Sequence, residues 1–178
     1  MMDLFFTGYN CPFKRYGSYF PKTIEFIPDP SPSDPCFTDG QTKIKIMTHS
    51  AGLVKALIFC SLTGIRPRMI LAIDPPNISE QVIRTKLNDG KLPSDLYSIY
   101  EKFLSISNKE EIFQIPICLY RNQKNQYLDT DIYKSLHFYQ TDTHYPYMIR
   151  SHRDQILKLY QDVDELSNDD DKNETIMK

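Results

Sequence analysis

The chain has 178 residues and a mass of 20.9 kDa, the length of one domain, and such a chain buries roughly 70% of the surface it exposes unfolded. Apolar residues make up 40% and charged residues 25%, with a mean hydropathy of -0.45, which excludes a fibrous or disordered chain. Against 23 acidic side chains stand 21 basic ones, a net charge of -2, so no basic excess points to a nucleic-acid partner.

Short apolar runs alternate with amphipathic segments along the chain. Asp3-Leu-Phe-Phe-Thr7 is a compact apolar run that ends at Gly8. Thr23-Ile-Glu-Phe-Ile27 alternates and stops at Pro28, and Lys43-Ile-Lys-Ile-Met47 alternates into a turn of small residues. Met69-Ile-Leu-Ala-Ile73 is continuous and ends at Asp74-Pro75-Pro76; Ile115 to Tyr120 is similar, and Ser135-Leu-His-Phe-Tyr139 is the last run. Runs of this kind fit strands covered on both faces. Residues 51–62 carry Leu53, Val54, Leu57 and Ile58 at helical spacing, with Gly64 and Pro67 as stop signals. Ser79 can cap a helix bearing Val82, Ile83 and Leu87, and Ser94 one bearing Leu96, Ile99, Tyr100 and Phe103. Ser151 can cap a last helix, with Asp154 in capping-box position and Ile156, Leu159, Tyr160, Val163 and Leu166 on its apolar face.

This alternation predicts an α/β fold, a mostly parallel sheet of about six strands with helices on both faces. It predicts one domain over 1–166 and a solvated polar tail over 167–178. Cys60 and Cys118 fall inside apolar runs and read as small buried hydrophobes in a reducing compartment, while a Cys11–Cys36 disulfide stays open. No cysteine pair or nearby His has zinc-ligand spacing. Residues 1–9 lack a basic leading region, and no run approaches the roughly 20 apolar residues of a membrane span, so the expected location is cytoplasmic.

In parallel sheets, function gathers beyond the carboxyl ends of the strands. One such loop stands out. Thr48-His49-Ser50-Ala51-Gly52 joins a strand directly to a helix. A turn that abrupt strains the backbone at Ser50, and small neighbours let the chain pass close to itself. It lifts a hydroxyl above the sheet at a helix N-terminus, which suits a nucleophile attacking a carbonyl.

These five residues resemble the nucleophile elbow, G-x-S-x-G, of the α/β-hydrolase family, with Thr48 in place of the first Gly. Asp3-Leu-Phe-Phe-Thr-Gly-Tyr-Asn resembles the strand and Gly turn that supply half of that family's oxyanion hole, and Thr141-Asp-Thr-His144-Tyr-Pro lies where the family places its catalytic His. The resemblance covers about residues 3 to 163. It implies a compact form that lacks the family's first edge strands, with residues 77–112 as a small cap-like helical segment lining the mouth of the site.

What the resemblance implies is a serine hydrolase that cleaves a carboxylic ester or thioester through an acyl-enzyme. Ser50 is then the nucleophile, His144 the general base and acid, and the amides of Tyr9 and Ala51 the oxyanion hole. For the acid, Asp129 after the penultimate strand is preferred, with Asp131 and Asp74 as alternatives; any of them could instead be a turn or cap residue. Of the other histidines, His49 is expected to pack inside the elbow, His137 to be structural and His152 to be exposed. Tyr9, Phe13, Tyr97, Tyr100, Tyr145 and Tyr147 are expected around an apolar acyl pocket. No metal or organic cofactor is implied, and the partner is a small-molecule ester or thioester, an acyl or lipid compound among the options. The alternative from another class is a hydrolase-fold protein that binds a ligand or partner without turning it over.

Overall fold

The computed structural model describes residues 2–9, 16–27, 44–123, 131–140 and 143–162. Its strands are β1 (Met2–Phe6), β2 (Ile24–Ile27), β3 (Ile44–His49), β4 (Ile70–Ile73), β5 (Ile117–Asn122) and β6 (Ser135–Tyr139). Its helices are α1 (Gly52–Thr63), α2 (Glu80–Asn88), α3 (Ser94–Leu104), α4 (Lys109–Ile112) and α5 (150–162). The six strands form one sheet in the order β2-β1-β3-β4-β5-β6, and every neighbouring pair is parallel. The expected α/β fold with a parallel sheet of six strands is what the chain adopts.

The continuity of the apolar runs has a direct cause, because successive strand residues point to opposite faces. Leu4, Phe6, Ile46, Ile70, Ala72, Ile117 and Leu119 face one core, which α1 to α4 complete with Leu53, Leu57, Ile83, Tyr100, Phe103 and Ile112. Phe5, Met47, Leu71, Ile73, Cys118 and Tyr120 face the other, with Tyr16, Phe20, Tyr147 and the α5 residues Ile156 and Tyr160. The segment 77–112 is thus three helices whose apolar sides pack toward α1. Arg66 joins them by donating to the Cys60 carbonyl at 2.6 Å and to Glu111 at 2.8 Å, and Ser61 donates to Asn108 at 2.7 Å.

Several boundaries differ from the sequence reading. The third strand runs to His49 instead of Met47, because Thr48 and His49 are fully buried and pair with Ala72 and Ile73 of β4. The fifth is displaced two residues along, to Ile117–Asn122, since Pro116 has no N–H and only its carbonyl joins the ladder, accepting from Ile70. Polar residues at strand ends hide those ends from a pattern of apolar runs. Ser94 and Ser151 are not caps: Pro93 precedes α3, and Ser151 lies inside the first turn of α5, where Ile149 O already accepts from Arg153 N. Ser79 does stand at the start of α2, in extended conformation and without a side-chain cap bond. Cys60 and Cys118 are buried and free, as expected. Cys11, Cys36 and residues 163–178 lie outside the described residues.

Candidate active site

The strand order reverses between β1 and β3, since the chain moves one way to β2 and the other way through β4, β5 and β6. Such a switch point opens a crevice beyond the carboxyl ends of the strands. Gly8 follows β1 there and Ser50 follows β3.

Ser50 has φ 53°, in the left-handed region that a side chain disfavours. Its amide is held by the Ile73 carbonyl at 2.9 Å, and α1 begins at once, with Leu53 N–H bonded back to Ser50 O at 3.3 Å. Gly52 is required by contact: a Cβ there would lie 2.0 Å from the Phe6 carbonyl oxygen. The start of α1 therefore presses on the end of β1. Gly8 also lies against the elbow, less tightly, for a Cβ on it would meet Ser50 Cβ at 3.2 Å and the His49 carbonyl at 3.3 Å. Gly8 N–H is spent on the Tyr16 hydroxyl and Ser50 N–H on Ile73, which leaves Tyr9 and Ala51 as the next amides along each chain.

Asp74 is the second non-glycine residue with positive φ among the described residues, at 45°. It follows β4 as Ser50 follows β3, with its amide held by Tyr120 O at 2.7 Å. Its carboxylate is buried, 1% exposed, while the His144 side chain is 43% exposed. A short hydrogen bond joins His144 Nδ1 to Asp74 Oδ2. The other oxygen, Oδ1, accepts from Asn122 N at 3.4 Å, and Asn122 Nδ2 donates to Thr143 O at 3.5 Å in the His144 loop. A carboxylate facing Nδ1 keeps the proton on that nitrogen, so Nε2 carries the lone pair. Burial lowers the pKa of Arg121 and the Asp74 charge opposes that shift; burial, and then Asp74, push the Tyr139 phenol far up. Arg121 thus supplies positive charge near Asp74, and Tyr139 stays neutral.

The backbone of His144 is fixed as well. His49 Nε2 bonds the His144 carbonyl at 2.8 Å, and the two rings lie 4.9 Å apart. His144 is thereby docked against the residue that precedes Ser50. The candidate acids behave differently from one another. Asp129, the preferred one, lies outside the described residues; Asp131 is exposed in the turn that precedes β6; Asp74 meets His144. The reason is topological, because β4 and β5 are adjacent and their ends bring Asp74 next to Asn122 and the His144 loop.

Three further expectations are corrected. Tyr100 and Tyr147 belong to the cores rather than to a pocket mouth, at 2% and 0% exposure. His152 is half-buried instead of exposed, with Nδ1 3.0 Å from the Tyr120 hydroxyl. Tyr9 and Tyr97 do remain exposed, Tyr145 is half-buried against His49 and His144, and Phe13 lies outside the described residues. A cavity of about 240 Å³ is lined by Asn77, Ile78, Ser79, Glu80, Phe113 and Ile132. Among the described residues there is no cluster of metal-ligating side chains, and no helix long and apolar enough to cross a membrane.

No protein-family model matches the chain, and no curated protein matches it. Solved structures do. A hydrolase from Oleispira antarctica superimposes with a TM-score of 0.52 over 90% of each chain at 15% identity. Looser matches are an esterase of Pyrococcus furiosus, with a TM-score of 0.37 at 15% identity over 69% of this chain and 53% of that one, and the Vlm2 thioesterase domain, with 0.46 at 14% identity over 92% and 91%. At these identities the likeness is one of fold alone, a six-stranded parallel α/β fold shared with the Oleispira antarctica hydrolase.

Proposed function

We propose that the protein is a serine hydrolase acting on a carboxylic ester or thioester, with Ser50 as nucleophile, His144 as general base and Asp74 as the acid. The observation that carries this reading is the His144–Asp74 hydrogen bond, made on a loop that is itself docked against the strained Ser50 turn. Asp74 replaces Asp129 in the proposal because Nδ1 has one proton to give and Asp74 receives it.

In this mechanism Ser50 Oγ attacks the acyl carbon while its proton passes to His144 Nε2. Asp74 holds the tautomer and stabilises the imidazolium. The amides of Tyr9 and Ala51 receive the negative charge on the former carbonyl oxygen, helped by the positive end of α1. The carbon–oxygen or carbon–sulfur bond then breaks, and His144 returns the proton to the departing alcohol or thiol. Water, deprotonated by His144, attacks the Ser50 ester, and the collapse of that adduct frees the acid and restores the serine.

A fluorophosphonate probe tests the reading. Labelling of the folded protein that disappears in Ser50→Ala supports it. Folded wild type that takes no label removes it in favour of a hydrolase-fold protein that binds without turnover. His144→Ala is expected to abolish hydrolysis of p-nitrophenyl esters and His152→Ala to retain it; equal activity in the two would retire the role of His144.

A further inference from the structure

We infer that His49 is a positioning residue for the hydrolysis proposed above, on which this inference rests: one buried imidazole sets the loop after β1 and the His144 loop at fixed distances from Ser50. His49 is 1% exposed. An imidazole at that depth is costly unless both ring nitrogens are hydrogen-bonded. Its Nε2 faces the His144 carbonyl at 2.8 Å, and a carbonyl only accepts, so Nε2 carries the proton. In the neutral ring Nδ1 is then an acceptor, and the Tyr16 hydroxyl lies 2.7 Å from it. The Tyr16 oxygen in turn accepts from Gly8 N–H at 3.1 Å. One arrangement of protons satisfies all three bonds.

The line therefore runs from the backbone of Gly8, through Tyr16 and His49, to the backbone of His144. Its first end precedes the Tyr9 amide, and its last end carries the base. Between them His49 is one peptide from the nucleophile. Aromatic rings hold it in place, Tyr16 and Tyr147 edge-on and Tyr145 tilted, with centroids at 5.6, 5.2 and 5.5 Å. His144 is thus restrained at two points, its ring by Asp74 and its main chain by His49, which together aim Nε2. A residue that merely filled this space would leave the His144 carbonyl and the Tyr16 hydroxyl without the partners they have now. Errors of about 1 Å in such placement cost on the order of 100-fold in rate.

Substitutions separate positioning from packing. His49→Phe keeps the volume and loses both bonds. His49→Gln places an amide nitrogen near the former Nε2 and keeps the bond to His144, and Tyr16→Phe keeps the ring and removes the hydroxyl. With p-nitrophenyl butyrate, His49→Phe is expected to lower kcat about 100-fold with KM changed less than about threefold. His49→Gln is expected to recover at least about tenfold of that, and Tyr16→Phe to lower kcat about tenfold. If His49→Phe does not fold by circular dichroism, His49→Gln against Tyr16→Phe carries the comparison, with wild-type kcat in both overturning the inference. Wild type that labels with fluorophosphonate while folded Gln and Phe variants have the same kcat overturns the positioning role alone. Wild type that does not label overturns the hydrolase reading itself.

Discussion

Among the described residues, the two non-glycine side chains held at positive φ are the proposed nucleophile and the proposed acid. Each such conformation costs about 1–2 kcal/mol, and each ends a strand whose neighbour holds its amide. Ser50 and Asp74 each lie just past the carboxyl end of one of two adjacent strands. Asp74→Asn turns a carboxylate into an amide that can donate to Nδ1, so the imidazole proton moves to Nε2 and the base is lost. We expect kcat to fall by about 10³–10⁴ with KM little changed, and Asp131→Asn to leave kcat as it is; steady-state kinetics on one ester decides it. The Ser50 turn was legible in the sequence because its signal is five consecutive residues. Asp74 was harder to read because Asp-Pro-Pro is also an ordinary turn, and its choice over other loop carboxylates depends on which strands are neighbours.

At the scale of elements, the contact between α1 and β1 decides whether the elbow forms. Gly52→Ala forces a methyl group into the Phe6 carbonyl, and we expect a loss of about 3 kcal/mol in urea denaturation. Gly17→Ala, with nothing within 4 Å of the added methyl, is expected to change stability by less than about 0.5 kcal/mol. The strands themselves were legible: two-sided burial writes the inner strands β4 and β5 as nearly unbroken apolar runs, and the edge strands β2 and β6 alternate. Their carboxyl ends were not, because Thr48, His49, Arg121 and Asn122 are buried polar residues, and the partners of His49 and Asn122 come from other parts of the chain. Ser94 and Ser151 have the chemistry of caps, but the first backbone bonds of α3 and α5 start earlier.

For the molecule as a whole, two cores on one sheet bury ionisable groups that stay neutral in the folded state. Burial pushes the Cys60 thiol and the Tyr100 phenol up to about 12, against about 8.5 and 10 in an unfolded chain. Below those unfolded values both states hold the proton and folding does not depend on it. Between them and about 12 the unfolded chain ionises first, so stability falls as pH rises. The urea midpoint is therefore expected to be flat from pH 6 to 8 and to decline above about pH 9. In Tyr100→Phe the decline between pH 10 and 12 becomes shallower. A slope unchanged by that substitution would assign the decline to other groups.

The last described helix closes on the first strand. Tyr160 Oη donates to Asp3 Oδ1 at 2.9 Å across 157 positions, Lys45 Nζ sits 4.1 Å above the Tyr160 ring, and Ile156 packs in the core that contains Phe5 and Met47. During synthesis the Phe5–Met47–Leu71 face is made before the Ile156 and Tyr160 side chains that help to cover it. Nascent polypeptides ending at residue 149 should be cut rapidly by protease, and those extended through residue 162 should resist.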